Sequence, residues 1–210
     1  YVAEAFPWSK DYTDVYERYG LVRPRALFGH CIHLSERERQ VLAEKGASAV
    51  FCPTSNLFLG SGLYDLAASR ALGLKTGIAT DIGGGTSYSM LTTAAEGYKV
   101  LALQGQKWPA FEAFHMLTAG NAEAMGINGK VGRLAPGLEA DFVVLDSRAT
   151  APLRRRMERV ETRAEELFAL MILGDERTTV ATYAAGRRIY DRYQAGLRPL
   201  APPRRRHVRP

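Results

Sequence analysis

The apolar and polar positions in the first half of the chain repeat one unit three times. A short strand-like run ends at Leu27-Phe28 and reaches Gly29-His30, and a helix is predicted from about Ser35 to Lys45. Gly46-Ala47-Ser48-Ala49-Val50 leads to Phe51-Cys52, with a helix from about Leu63 to Leu72. Thr76 to Ala79 leads to Thr80-Asp81, with a helix from about Tyr88. Each apolar run ends on polar or small residues and passes into a helix. Three β/α units in succession predict an α/β fold with a parallel sheet or barrel.

Later in the chain, Phe111 to Gly120 reads as a helix with Phe111, Phe114 and Leu117 on one face, which gives His115 a structural role. Phe142 to Leu145 reads as a strand. After the basic run Arg154-Arg155-Arg156, an amphipathic helix is predicted from Met157 to Leu173, with Val160, Leu167, Leu170, Met171 and Leu173 apolar. Thr179 to Ala184 and Arg187 to Tyr190 flank Ala185-Gly186 as a hairpin.

The chemistry concentrates at the strand ends. Asp81 enters Gly83-Gly84-Gly85 and then Thr86-Ser87. A carboxylate at the C-terminal end of a parallel strand, followed by a glycine turn, suits catalysis in an α/β enzyme. An Asp before Gly is equally a turn residue or helix N-cap. Neither GxGxxG nor Walker A spacing is present, which argues against phosphate cradling. Cys52-Pro53 does not match the Pro-Cys-x-x-Cys pattern of cytidine-type zinc deaminases. Asn56 is a candidate for shaping a pocket or for capping a turn, and Ser87 and Ser89 for touching substrate or capping the next helix.

Three runs carry a resemblance. His30-Cys31-Ile32-His33-Leu34-Ser35-Glu36, then Cys52-Pro53-Thr54-Ser55-Asn56-Leu57 with Gly60-Ser61-Gly62, then Thr80-Asp81 with Gly84 and Ser87-Tyr88-Ser89-Met90-Leu91 resemble the C-terminal half of the guanine deaminase family. That family lies within the metal-dependent amidohydrolase superfamily. Gly132 to Asp146 resembles the segment that returns such chains to their small β domain. Phe51 departs from the pattern, in which His commonly precedes Cys-Pro.

The resemblance implies the last units of a (β/α)8 TIM-like barrel over residues 1–130, part of a small β-sandwich domain with a connecting helix over 131–192, and a basic tail over 193–210. It implies zinc as cofactor, with Asp81 as the eighth-strand metal ligand and catalytic acid-base group. His30, at the sixth-strand position, is implied to hydrogen-bond the attacking water. The implied reaction is hydrolysis of guanine to xanthine and ammonia in the cytoplasm, by a homodimer when full-length. Zinc needs three or four protein ligands, and the family's His-x-His pair and fifth-strand His and Glu have no counterpart here. The chain is therefore expected to be the C-terminal part of a longer polypeptide and inactive alone. Two alternatives stand beside this: a related aminohydrolase or chlorohydrolase, and an inactive or partner-dependent binding module.

Composition fits a globular protein with one good core: 46% hydrophobic and 24% charged over 210 residues. No apolar run reaches the roughly 18 to 20 residues of a membrane-spanning helix, so no membrane partner is expected. The net charge of +6 concentrates at the C-terminus, where Arg198, Arg204, Arg205, Arg206 and Arg209 follow the last acid, Asp191. A Pro- and Arg-rich tail of this kind is expected to be disordered and to attract polyanions without sequence information, so no specific nucleic-acid partner is expected. Cys31 and Cys52 end neighbouring strands and are expected as buried, reduced thiols. His33 reads as a loop residue near the mouth.

Overall fold

The computed structural model describes residues 1–194. Two short helices, α1 (Val2–Ala5) and α2 (Tyr12–Arg18), precede the first strand. The repeating units then follow as β1 (Leu27–Gly29), α3 (Glu36–Glu44), β2 (Ser48–Phe51), α4 (Pro53–Phe58), α5 (Leu66–Ala71), β3 (Lys75–Ile78) and α6 (Met90–Leu103). The three strands form one parallel sheet in the order β1-β2-β3, with Gly29 opposite Val50 and Phe51 opposite Ile78. The parallel α/β reading therefore holds for this part of the chain.

Three boundaries differ from expectation. Proline sits at the first helical position after Cys52, where its missing N–H costs nothing, and it starts the additional helix α4 ahead of α5. Strand β3 ends at Ile78, three residues short of Asp81, because the loop from Thr80 bonds to itself through Gly85 N–H and the Asp81 carbonyl. The helix expected over 157–173 is realised only as α10 (Arg163–Leu173), and a separate helix α9 (Ala151–Met157) precedes it. Thr150 and Thr162 each cap a helix start with their side chains, so Arg154, Arg155 and Arg156 lie inside α9 rather than ahead of a helix.

Between α6 and α9 lies a helical run: α7 (Ala110–His115), a π-helical turn (Met116–Gly120) and α8 (Asn121–Met125). The second sheet is antiparallel, in the order β4 (Phe142–Leu145), β5 (Thr179–Ala184), β6 (Arg187–Asp191). Ala185 and Gly186 both have positive φ, 49° and 74°, the conformation a two-residue hairpin turn requires. Phe142 stacks on Tyr183 across this sheet at 4.4 Å. The basic tail lies outside the described residues from position 195 onward. Among the described residues, no helix is long and apolar enough to cross a membrane.

The main core lies on one side of the parallel sheet and extends to α10, whose Met171 is fully buried with Phe51, Leu42, Leu101 and Trp108. Phe51 stacks on Tyr64 at 5.1 Å, so this position serves packing. Gly97 allows α6 its close approach, because a Cβ there would lie 3.1 Å from both Phe51 and Trp108. At burial of this depth, each large side chain contributes roughly 1.5–3 kcal/mol.

Glu38 joins α2 to α3 from a buried position. Its carboxylate accepts from Thr13 N–H (3.2 Å) and Oγ1 (3.0 Å), and from Ser35 N–H (2.8 Å) and Oγ (2.9 Å). Burial pushes this carboxyl's pKa up, but the bonds from Ser35 and Thr13 outweigh it and hold the pKa below its ordinary value. A depressed carboxyl pKa adds stability that is complete above the unfolded value and is lost as pH falls through the folded one. Glu38→Gln is expected to lower stability to urea by about 1–3 kcal/mol near neutral pH. The gap to wild type should narrow in acid, and exposed Glu139→Gln should shift stability by under about 0.5 kcal/mol.

Candidate functional site

His30 follows β1 and Asp81 follows β3, and both have left-handed backbones, with φ of 67° and 49°. His and Asp are among the few residues besides glycine that adopt this conformation with any frequency. The local cost is still about 1–3 kcal/mol each, so the surroundings must hold it. His30 N–H continues the ladder by donating to the Val50 carbonyl at 2.9 Å. The reversal of φ turns both side chains across the strand ends, and His30 Nε2 lies 3.8 Å from Asp81 Oδ2. The two side chains remain half-exposed, at 46% and 39%.

The Asp81 loop is fixed from three sides. Thr54 Oγ1 on α4 donates to the Thr80 carbonyl at 3.1 Å. Gly85 N–H donates to the Asp81 carbonyl at 2.6 Å, and a Cβ on Gly85 would meet the Thr80 oxygen at 1.8 Å. Upstream, the Asn121 amide grips Ile78 at both backbone groups: Ile78 N–H donates to Oδ1 at 2.8 Å, and Nδ2 donates to the Ile78 carbonyl at 3.0 Å. The π-helical turn comes directly before Asn121. Sequence reasoning missed this clamp. Its only sign was an Asn in a helical stretch, where its propensity is poor.

Asn56, fully buried on α4, forms a hydrogen bond between its Nδ2 and His30 Nδ1 at 2.9 Å. Ser89 caps α6 by accepting from Thr92 N–H at 3.2 Å, and Ser87 Oγ accepts from Ser89 N–H at 3.0 Å. His33 bonds the Ser61 carbonyl at 3.0 Å through Nε2, within loops. His115 lies at the far end of β3, in a groove of about 450 Å³ lined by Leu66, Leu74, Lys75 and Phe111 among others. This groove is remote from His30 and Asp81, which stay half-exposed.

One further donor joins the pair. Cys52 Sγ, a His30 ring nitrogen and an Asp81 carboxylate oxygen all lie within 4.8 Å of one another. Zinc binds nitrogen, oxygen and sulfur at about 2.0–2.3 Å, so two donors on one ion stand no more than about 4.6 Å apart, and 3.8 Å between His30 and Asp81 is within reach. The donor types and spacing of His30 and Asp81 fit a metal. Cys52, however, donates its thiol proton to the Val50 carbonyl at 3.5 Å, and burial pushes its pKa up. A protonated thiol is a poor ligand, so His30 and Asp81 are the readier donors of the three. Cys31 is also free and buried, and burial pushes its thiol up to about 12.

The amidohydrolase family model matches residues 1–189. The chain is 44% identical over 192 residues to guanine deaminase of Escherichia coli K12, covering 91% of this chain and 44% of that protein. The solved structure of E. coli guanine deaminase superposes with a TM-score of 0.89, over 91% of this chain and 45% of that one. A guanine deaminase from C. acetobutylicum, solved with guanine in its active site, is 28% identical with a TM-score of 0.79, over 90% and 45% of the two chains. A zinc-bound adenosine deaminase from Xanthomonas campestris shares the fold at 24% identity and a TM-score of 0.74, over 89% and 42%. The chain spans less than half the length of the curated relatives it matches.

Gly85→Ala is expected to destabilise the protein by at least about 2 kcal/mol and to raise amide exchange across residues 80–86. Gly129→Ala, where a Cβ meets open space, should leave both unchanged. Equal stability of the two variants would contradict the packing described for the Asp81 loop.

Proposed function

We propose, from the premise that this chain belongs to the amidohydrolase family, that it forms the C-terminal portion of a zinc-dependent enzyme hydrolysing guanine to xanthine and ammonia. The observation that carries the reading is the meeting of His30 and Asp81 at 3.8 Å beyond the ends of β1 and β3, the two strands that flank β2. It occurs in a chain 44% identical to a guanine deaminase over nearly its whole length. In this reading β1, β2 and β3 are the last three strands of a (β/α)8 barrel and residues 1–130 its terminal units. Residues 131–192 supply part of a small β domain, with α10 docked on α6 and α7. The further metal ligands and the groups that grip the purine belong to the remainder of the polypeptide. A cytoplasmic setting suits the two free, buried thiols.

Asp81 would hold the zinc through its carboxylate. When bound, zinc supplies Lewis acidity that lowers the pKa of water from about 15.7 to about 7. The second carboxylate oxygen of Asp81 would accept the proton of the water nucleophile. His30 Nε2, which faces Oδ2, would hydrogen-bond the same water and orient its attack. A C–O bond forms at the amino-bearing ring carbon, the C–N bond breaks, and the proton held at Asp81 passes to the departing amine. Guanine and one water thereby give xanthine and ammonia. The exposed faces of His30 and Asp81 leave room for a planar ring above them.

In the full-length protein, Asp81→Asn is expected to abolish ammonia release from guanine and to reduce bound zinc. Turnover at the wild-type rate would overturn the assignment. His30→Ala should reduce turnover by about 10²- to 10⁴-fold. Activity on a chloro-triazine with none on guanine would favour a chlorohydrolase instead.

A further inference from the structure

His30 offers two ring nitrogens, and its chemistry depends on which one carries the proton. With Nε2 bare, the side chain can ligate a metal or act as a base toward Asp81's side of the site. With a proton on Nε2, it can only donate there. The proposed function leaves this choice open, and Asn56 decides it.

Nδ1 of His30 meets Asn56 Nδ2 at 2.9 Å, and an amide nitrogen only donates. Nδ1 must then accept, so the proton of the neutral ring sits on Nε2. The opposite amide orientation would have Oδ1 accept an N–H from Nδ1. It would also place the NH2 group where Oδ1 now lies, and Oδ1 has no partner there although it is buried. That orientation strands both N–H groups of the amide, and orphaned buried N–H groups are rarer than undersatisfied carbonyls. The residue itself is 2% exposed, so bulk solvent does not reach the amide. Asn56 is also held firmly: its N–H donates to the Cys52 carbonyl at 2.9 Å, and its carbonyl accepts from Ser61 N–H at 2.9 Å.

We infer that Asn56 is a positioning residue that locks His30 as the Nε2–H tautomer, making it a hydrogen-bond donor toward Asp81. The left-handed backbone of His30 fixes where the ring starts, and Asn56 fixes its rotation and its proton. Donation from Nε2 then has two acceptors in prospect, the Asp81 carboxylate and the water oxygen beside it. The functional consequence rests on the proposed deaminase reading; the tautomer does not.

The test is the ring 15N and 13Cδ2 chemical shifts of His30 in the full-length protein, above the imidazole's titration range, assigned by their loss in His30→Gln. The wild type is expected to show a protonated Nε2 and a bare Nδ1. Asn56→Asp, which can only accept, should move a proton onto Nδ1. Asn56→Ala should yield a mixture and lower turnover about 10- to 100-fold with little change in KM. A wild-type ring protonated at Nδ1 overturns the inference, and so does a tautomer unchanged in Asn56→Asp. If Asn56→Asp fails to fold, Asn56→Ala decides: a ring that keeps the pure wild-type tautomer there overturns the inference. Full activity in Asp81→Asn would sink the deaminase reading while leaving the tautomer measurement valid, so the two failures are distinguishable.

Discussion

The site depends on a backbone constraint: directly after β1, and three residues beyond the end of β3, the chain turns through a left-handed residue that carries the functional side chain. His30 and Asp81 are the two. An ordinary extended residue would send its side chain alternately to either face of the sheet. The left-handed turn instead swings each side chain over the strand ends, where they come within 3.8 Å. A strained backbone of this kind persists only where neighbouring structure over-determines it.

That over-determination unites several features far apart in the chain. Thr54, Gly85 and Asn121 all act on the few residues from Ile78 to Gly85, by a side-chain donor, a missing Cβ and a two-point amide clamp. Asn56 and the Val50 carbonyl do the same for His30. Helix α4, begun by Pro53, supplies both Thr54 and Asn56. Behind these contacts stands a packed layer of Phe51, Tyr64 and Trp108, rigid enough to transmit small displacements.

The β/α order was legible in the sequence because a short apolar run that ends on polar residues and passes into a helical pattern matches a buried parallel strand and little else. The helix start near Ser35, the capping option for Ser89 and the Ala185-Gly186 turn were visible for similarly local reasons. His30 and Asp81 could be singled out from their positions at strand ends, and the resemblance to a known family gave them roles. Helix α4 was hidden by its brevity, and the break between α9 and α10 by an apolar pattern that runs across it. The Asn121 clamp and the approach of Cys52 to the His30–Asp81 pair depend on contacts between residues far apart in the chain. Periodicity carries no information about such contacts.

Anomalous diffraction at the zinc edge, from crystals of the full-length protein, tests the central claim most directly. The expected result is a zinc peak at about 2.0–2.2 Å from an Asp81 carboxylate oxygen, with His30 Nε2 nearby but outside bonding distance. A zinc ion bound elsewhere, with Asp81 unligated, would contradict the account.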